Sequence, residues 1–467
     1  MTHDTAPHDR PSSNAAPYRW WRDLTRYHWF VLAVAALGWL FDCLDQQLFT
    51  LARVPAMTEL LRVGETPASP GDVARYGGYA TSIFLLGWAT GGLFFGVLGD
   101  KIGRARTMLW TILLYSLCTG LSALSKGFAD FAFYRFITGL GVGGEFAVGV
   151  ALVAEVMPDR ARPYAIGLLQ ALSAVGNISA ALINIGLGEL EHVGMSRWRI
   201  MFLIGALPAL LAVVIRARLK EPERWTQVAT SGPGGGRQLG SYGTLFSHPV
   251  WRRRAFAGLG LAVAGVVGLW GIGFFTPDLL RLVLTKSFTA EGMSPPEVAK
   301  HLFRWTGIAL IVQNVAGFLG IYSFGVLSQR IGRRPTFAIT FVGALLATVL
   351  VFSTLETRRQ IFWMIPMMGF FQFALFGGYA IYFPELFPTS IRSTGVSFCY
   401  NVGRFIAATG PTLLGLLTSV AFREKPEPMR YAGVTMCAVF LLGLAVLPFA
   451  PETRGTPLPE EDRGLVH

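Results

Sequence analysis

Charged residues are scarce in this chain, at 15% of 467 residues, whereas soluble globular proteins carry about 25%. Hydrophobic residues reach 52%, which excludes an ordinary soluble domain and indicates a membrane protein. Cysteine is rare as well. Cys43, Cys118, Cys399 and Cys437 all fall in apolar stretches without paired spacing, which excludes a disulfide framework or a cysteine metal site and leaves a packing role. The first 28 residues lack the apolar core and small-residue cleavage site of a cleavable signal peptide, so the first hydrophobic run must direct insertion. "GLGVGG" has neither a preceding strand nor a following Gly-Lys-Ser/Thr, which favours helix packing over nucleotide binding.

What is present is a series of twelve apolar runs, at residues 29–51, 77–99, 107–125, 129–155, 164–188, 198–217, 255–280, 304–328, 335–354, 359–384, 391–420 and 430–450. Runs of roughly 18 residues or more span a hydrocarbon core about 30 Å thick as helices. The expected fold class is therefore an all-α membrane protein with twelve transmembrane helices. The net charge is +12, but Lys and Arg gather in alternate connections: "GDKIGRAR", "PDRARP", the segment from Arg216 to Arg254 and "SQRIGRRP". All of these follow even-numbered runs, so they and both termini are expected in the cytoplasm. The basicity is topological, and nucleic acid is not an expected partner; the lipid bilayer is.

Self-comparison reveals a duplication. "GVLGDKIGRARTM" from Gly96 recurs as "GVLSQRIGRRPTF" from Gly325, and "EVMPDRARPYAIG" from Glu155 recurs as "ELFPTSIRSTGVS" from Glu385. Two six-helix halves therefore repeat in parallel. The expected organisation is a cytoplasmic tail (1–28), an N-terminal bundle (29–217), a linker (218–253), a C-terminal bundle (254–450) and a C-terminal tail (451–467). Such duplication suits a transporter that rocks two bundles about a midplane site.

On these motifs, together with "YRFITGLGVGGE", "VAEVMPDRAR", "PELFPTSIRSTG" and "PETRG", the chain resembles the major facilitator superfamily over nearly its whole length, and the sugar porters in particular. "FDCLDQ" is similar to the paired-acid motif Asp-Gly-Tyr-Asp of proton symporters for organic acids, of aromatic-acid and sialate type, with Cys43 and Leu44 at the two middle positions. The resemblance implies that Asp100, Arg104 and Glu155 form a gating charge network at the cytoplasmic helix ends. Arg333, Glu385 and Arg392 are its counterparts in the second half, where Gln329 stands in place of Asp100 and implies a weaker latch. The bland alternative is that these basic turns only fix topology.

Ionisable residues at membrane depth are functional candidates, because a buried charge is kept only where it pairs or faces water. Asp42 and Asp45 lie three residues apart in the first run, with Gln46 a turn beyond Asp42, and are expected to look together into the central cavity. Two close carboxylates in a low dielectric favour holding a proton. The resemblance to proton-coupled sugar porters implies Asp45 as proton carrier and Arg135 as its partner, with Asp42 sharing the proton or binding substrate. Glu145 is a further proton-coupling candidate, turned about 80° from Arg135 around its helix.

Amides and one arginine mark the expected substrate site. Gln170, Ser173, Asn177 and Asn184 draw a polar stripe along the fifth run, which must face the bundle interior. Tyr400, Asn401 and Arg404 sit within one turn, and Gln313, Asn314 and Gln372 lie at comparable depth. A fixed guanidinium suits a carboxylate, so the leading expectation is proton-coupled symport of a small organic acid by alternating access. An uncharged-sugar carrier is the alternative, and a non-transporting sensor is less expected. An enzyme is not expected, since no nucleophile-and-base constellation stands at membrane depth. The proton is the expected coupling ion without further cofactor or metal, the expected unit is a monomer, and the expected location is a bacterial-type inner (plasma) membrane.

Overall fold

The computed structural model describes residues 19–62, 66, 68, 70–188, 195–230, 239–410, 413–414 and 417–460. Most of the N-terminal tail, residues 231–238 of the linker and the last seven residues of the C-terminal tail lie outside the described residues.

Among the described residues, twelve helical passes follow one another. They are α1 (Arg26–Leu60), α2 (Pro70–Ile102), α3 (Arg104–Ser122), α4 (Phe128–Val156), α5 (Arg162–Ala171, continued by Ser173–Gly188) and α6 (Arg197–Ile204, continued by Ala209–Arg218). The second half has α7 (Pro249–Val266), α8 (Pro295–Ile331), α9 (Arg333–Thr354), α10 (Arg358–Leu386), α11 (Arg392–Ala407) and α12 (Pro428–Met436, continued by Val439–Val446). Two short linker helices, Glu223–Thr230 and Tyr242–Ser247, lie between the halves.

Among the described residues, ten helices are long and apolar enough to cross a membrane on composition alone, rather than the twelve runs expected. The two that fall short are α3, which is polar, and α11, whose helix among the described residues, Arg392–Ala407, is 16 residues long. α3 buries Thr107, Thr111, Tyr115, Ser116, Thr119 and Ser122, and α11 carries Arg392, Asn401 and Arg404. Both lay their polar faces against other helices, α3 on α4 and α11 on α2 and α7, so protein rather than lipid receives those faces. Large apolar side chains such as Phe94, Trp110, Leu117, Phe133, Leu210 and Leu346 are exposed around the outside, as a lipid-facing surface requires.

The duplication is visible bond by bond. Gly103 and Gly332 both adopt positive φ, 110° and 101°, which turns α2 into α3 and α8 into α9 without the strain a side chain would incur there. Arg104 donates to Gly99 O and Arg333 to Ser328 O, each at 2.9 Å. Thr107 caps back onto Gly103 and Thr336 onto Gly332. Arg162 donates to Ala154 O and Arg392 to Pro384 O. One local fold is thus written twice.

Within the first half, α2 and α4 touch backbone to backbone. A Cβ at Gly91 would collide with the Leu140 backbone, and one at Gly143 with the Trp88 carbonyl. Gly143→Ala is therefore expected to destabilise the folded protein by an overpacking penalty of about 1–3 kcal/mol, read as a lower Tm in detergent; an unchanged Tm would mean that the helices separate freely.

Candidate functional site

Asp45 and Arg135 meet inside the first half. Thr119 donates to Asp45 Oδ1 at 2.6 Å, and Arg135 Nη1 lies 3.6 Å from Asp45 Oδ2. Arg135 is held further by donations to Ser122 (2.8 and 3.1 Å), Thr119 (3.2 Å) and Thr138 (3.1 Å), and stacks 4.6 Å from the Phe202 ring. Both partners are fully buried.

Asp42 goes elsewhere, which corrects the expectation of one shared, water-facing acid pair. Three helical steps leave side chains about 60° apart, enough for Asp45 to reach α3 while Asp42 faces Glu145 on α4. Asp42 and Glu145 are each 1% exposed, and none of their four carboxyl oxygens receives a hydrogen bond from a surrounding donor. Gly38 makes the room: a Cβ there would collide with Glu145 Oε1.

A second cluster crosses the two halves at mid-depth. The Arg404 guanidinium lies between the Trp88 ring of α2, at 4.2 Å, and the Tyr400 ring of α11, at 4.3 Å. Its Nη1 donates to Asn401 at 2.7 Å, and its Nε has no acceptor. Among the described residues no carboxylate stands within ion-pair distance of Arg404, although Asp42 is in its electrostatic reach. Aromatic contacts extend the cluster: Trp39 to Phe146 and Phe146 to Tyr400, both at 4.6 Å, and Trp88 to Trp270 at 6.0 Å. Trp39 Nε1 and Trp88 Nε1 also lack acceptors. Trp270 sits where α7 changes to a π-helical turn (Val267–Ile272) and then a 3-10 turn (Gly273–Phe275), a kind of break frequent at functional sites.

The amide candidates divide. Asn177 donates to Asn314 at 3.1 Å across the halves, and Asn314 donates to Leu310 O, so these two are spent on helix contact. Asn401 is tied to Ser397 and Arg404. Gln372 donates to Thr348 at 2.9 Å, but its Oε1 and that of Gln170 remain buried without a donor. Gln313 is buried beside Gly369 of α10.

At the basic end, where the α2–α3 turn and the linker lie, the halves are joined. Asp100 accepts from the backbone N–H of Ser393 (3.0 Å) and Thr394 (2.8 Å) and from the Thr394 hydroxyl (2.6 Å) at the start of α11, and pairs with Arg104 at 3.0 Å. Glu155 Oε1 receives both Arg104, at 2.9 Å, and Arg392, at 2.6 Å. Arg392 was expected beside Glu385 and Arg333; it crosses instead to Glu155 of the other half. The second copy keeps Arg333 on Glu385 at 2.8 Å, with Thr453 donating to the same carboxylate at 2.6 Å, all within one half. The asymmetry has a readable cause. Gln329 replaces the acid, and the position matching Ser393 is Pro163, which has no N–H to offer.

Sequence reasoning missed three features. The polar ridge of α3 supplies Thr119 and Ser122 to the Asp45–Arg135 site; its four-residue spacing from Thr107 through Thr111 and Tyr115 to Thr119 was the available signal. Glu221 accepts from the N–H groups of Ala105 and Arg106, and Glu452 of "PETRG" from those of Arg333 and Arg334, so each half carries its own carboxylate cap. Burial works against ionisation of Glu452, but the N–H donors of Arg333, Arg334 and Arg454 prevail and hold its carboxyl below the ordinary range. The linker itself braces the latch, with Trp225 donating to Asp100 O at 2.7 Å and Gly240 to Ser390 O at 2.9 Å.

Duplicated six-helix halves, a buried charge site in one half and a cationic aromatic cluster between the two define a membrane transporter of the major facilitator superfamily. The family model described as "Sugar (and other) transporter" matches residues 52–232 and 238–465, and the chain belongs to that family. It is 33% identical over 395 residues, 83% of this chain and 89% of the relative, to a Haemophilus influenzae protein named for metabolite transport. It is 29% identical to the niacin transporter NiaP of Acinetobacter baylyi, over 83% of this chain and 87% of that protein. The proton:xylose symporter XylE bound to 6-bromo-6-deoxy-D-glucose shares the fold, with a TM-score of 0.75 at 17% identity over 92% of this chain and 98% of that one.

Proposed function

We propose that this transporter carries a small organic anion together with a proton by alternating access, with Arg404 holding the anion's carboxylate. One observation carries the reading: a buried guanidinium lies between two aromatic faces contributed by opposite halves, without a carboxylate partner and with Nε unsatisfied. A planar carboxylate matches both the fork of the arginine and the flat walls beside it, and the niacin transporter among the relatives supports the choice. The Asp45–Arg135 and Asp42–Glu145 sites supply carboxylates for the proton. We place the protein in a plasma membrane with the basic loops and both termini on the cytoplasmic side, working as a monomer with the proton as its coupling ion. The interactions that join the halves run from the basic end to midplane, as in a carrier closed on that side.

An uncharged-sugar carrier is the second reading, supported by the unpaired Oε1 atoms of Gln170 and Gln372, which suit hydroxyl donors. Proteoliposome uptake separates the readings. We expect labelled nicotinate to accumulate when the outside is acidified, and the accumulation to collapse with a protonophore. Accumulation of glucose or xylose in its place would favour the second reading, and binding without accumulation would leave only a sensor.

A further inference from the structure

Residues 19–29 lead into α1 at the basic end, where Tyr27 shares hydrogen bonds with the backbone of Lys220 beyond α6. A 3-10 turn, Trp20–Arg22, divides the side chains of this segment. Trp20 is 5% exposed, whereas its neighbour Trp21 is 48% exposed, and Tyr27 and Trp29 are exposed as well. Trp20 turns inward onto both halves. Its ring packs on Trp29 at 5.8 Å and lies nearly parallel to Tyr164 of α5, with centroids 6.1 Å apart and an interplanar angle of 4°. Its Nε1 donates to the Tyr322 hydroxyl of α8 at 3.3 Å.

The contact falls on a seam where the halves meet backbone to backbone. Tyr164 stands one helical turn before Gly167, and Tyr322 one turn before Gly325, which puts each tyrosine beside its glycine on the helix surface. A Cβ on Gly325 would stand 3.1 Å from Pro163 O and 3.9 Å from Gly167 Cα. α5 belongs to the first half and α8 to the second, so a rocking carrier that opens its basic end parts them there. Trp20 travels with the first half, to which α1 ties it, and loses the Tyr322 bond when the second half swings away.

The other face of the segment suits a charged surface. Arg19, Arg22 and Arg26 are exposed, with Asp23 the one acid among them, and the Tyr27 bonds bring the exposed Arg218 and Lys220 alongside. Tryptophan and tyrosine anchor at a lipid–water boundary through their amphipathic rings, and arginines there attract anionic headgroups. One placement of the turn meets both demands: with Trp21 and Arg22 on the headgroups, Trp20 lies in the seam. A surface that holds the segment in this way favours the closed basic end, because that state offers Trp20 its acceptor on the other half. We propose that residues 19–29 form a membrane-surface strap, whose arginines and outward aromatics bind anionic phospholipid headgroups and whose Trp20 clips α5 of the first half to α8 of the second. The strap acts whatever substrate is carried.

Hydrogen exchange of the full-length protein in lipid nanodiscs, read by mass spectrometry, tests both parts. The N–H groups of Ser393 and Thr394 lie in the first turn of α11, which has no intrahelical acceptor for them, and donate to Asp100 of the other half. Their exchange therefore reports parting of the halves at a place Trp20 does not touch. We expect it to be at least about fivefold faster in Trp20→Ala, the low end for loss of one aromatic contact and one hydrogen bond. Tyr322→Phe keeps the ring contacts, covers a Trp20→Ala chain that does not fold, and is expected to speed exchange about twofold or more. Unchanged exchange at Ser393 and Thr394 in Trp20→Ala, or in Tyr322→Phe where that variant alone folds, overturns the clip, as does faster exchange confined to the strap itself. In nanodiscs of phosphatidylcholine with phosphatidylglycerol, the same amides are expected to exchange at least about fivefold more slowly than in phosphatidylcholine alone, the effect of a single arginine near an anionic surface. The difference should vanish when Arg19→Gln, Arg22→Gln and Arg26→Gln are combined. It should persist when Arg252→Gln and Arg253→Gln remove exposed basic residues at the start of α7. Equal exchange of the unmodified protein in both lipids, a difference that survives the triple variant, or one that is lost in the double variant overturns the headgroup assignment.

Discussion

Replacement of Arg404 by Gln is expected to weaken binding of an organic anion at least about 30-fold in Kd, the low end of the roughly 2–5 kcal/mol lost when one member of a desolvated charge pair is truncated. The guanidinium is buried between Trp88 and Tyr400, at 4.2 and 4.3 Å, so no water shell compensates for the missing charge. Arg404→Lys is expected to recover little of this. An ammonium offers no fork for a carboxylate and no flat face for the two rings. The measurement is equilibrium binding of nicotinate to purified variants, with melting curves to confirm folding. Affinity within threefold of the unmodified protein would remove Arg404 from the anion site.

The second large effect is expected at the basic end, at Glu155 of α4. Glu155 accepts from Arg104 and Arg392 through one oxygen, and all three side chains are buried or nearly so. Glu155→Gln leaves two guanidinium groups without their carboxylate. Breaking a buried ion pair from one side costs about 3–5 kcal/mol, which approaches the roughly 5.5 kcal/mol that carries a two-state equilibrium from 99:1 to 1:99. The closed basic end should therefore lose most of its population, and uptake in proteoliposomes should fall more than tenfold. A Ser393→Cys reporter reads the opening directly. The Ser393 hydroxyl has no partner, while its N–H donates to Asp100, so the reporter leaves the latch intact. We expect the thiol to be protected from an impermeant maleimide alone and labelled when Glu155→Gln is added. Equal protection in both would show that the network does not gate.

The latch explains why the two copies of the repeat are not interchangeable. Each arginine of the α2–α3 and α8–α9 turns meets a glutamate of its own half, Arg104 on Glu155 and Arg333 on Glu385. Only the first copy adds Asp100, whose carboxylate reads the N-terminal N–H groups of α11. A charge aimed at a helix N-terminus on the other bundle is a contact that rocking must break, whereas the Arg333–Glu385 pair moves as one body with its half.

Several parts of this picture were legible in the sequence. Ten of the passes follow from apolar length, because a helix satisfies its backbone hydrogen bonds within its own segment and can therefore cross lipid. The repeat, the basic turns and the meeting of Asp45 with Arg135 were readable from motif and spacing. The polar ridge of α3 was in principle readable too, from Thr107 to Thr119 at steps of four.

What the tertiary structure decided was which buried polar group meets which. Asp42 and Asp45 share a helix and nearly a face, yet about 60° of rotation sends one to Glu145 and the other to Thr119 and Arg135. Arg392 sits in the second copy of its motif and serves the first. Arg404 acquires its character from Trp88, a residue of the other half with no sequence relation to it. Membrane burial is a property of single segments, so sequence alone determines it. Pairing at the interface of two bundles depends on helix rotation and on the register of one half against the other, and those are set only when the halves pack.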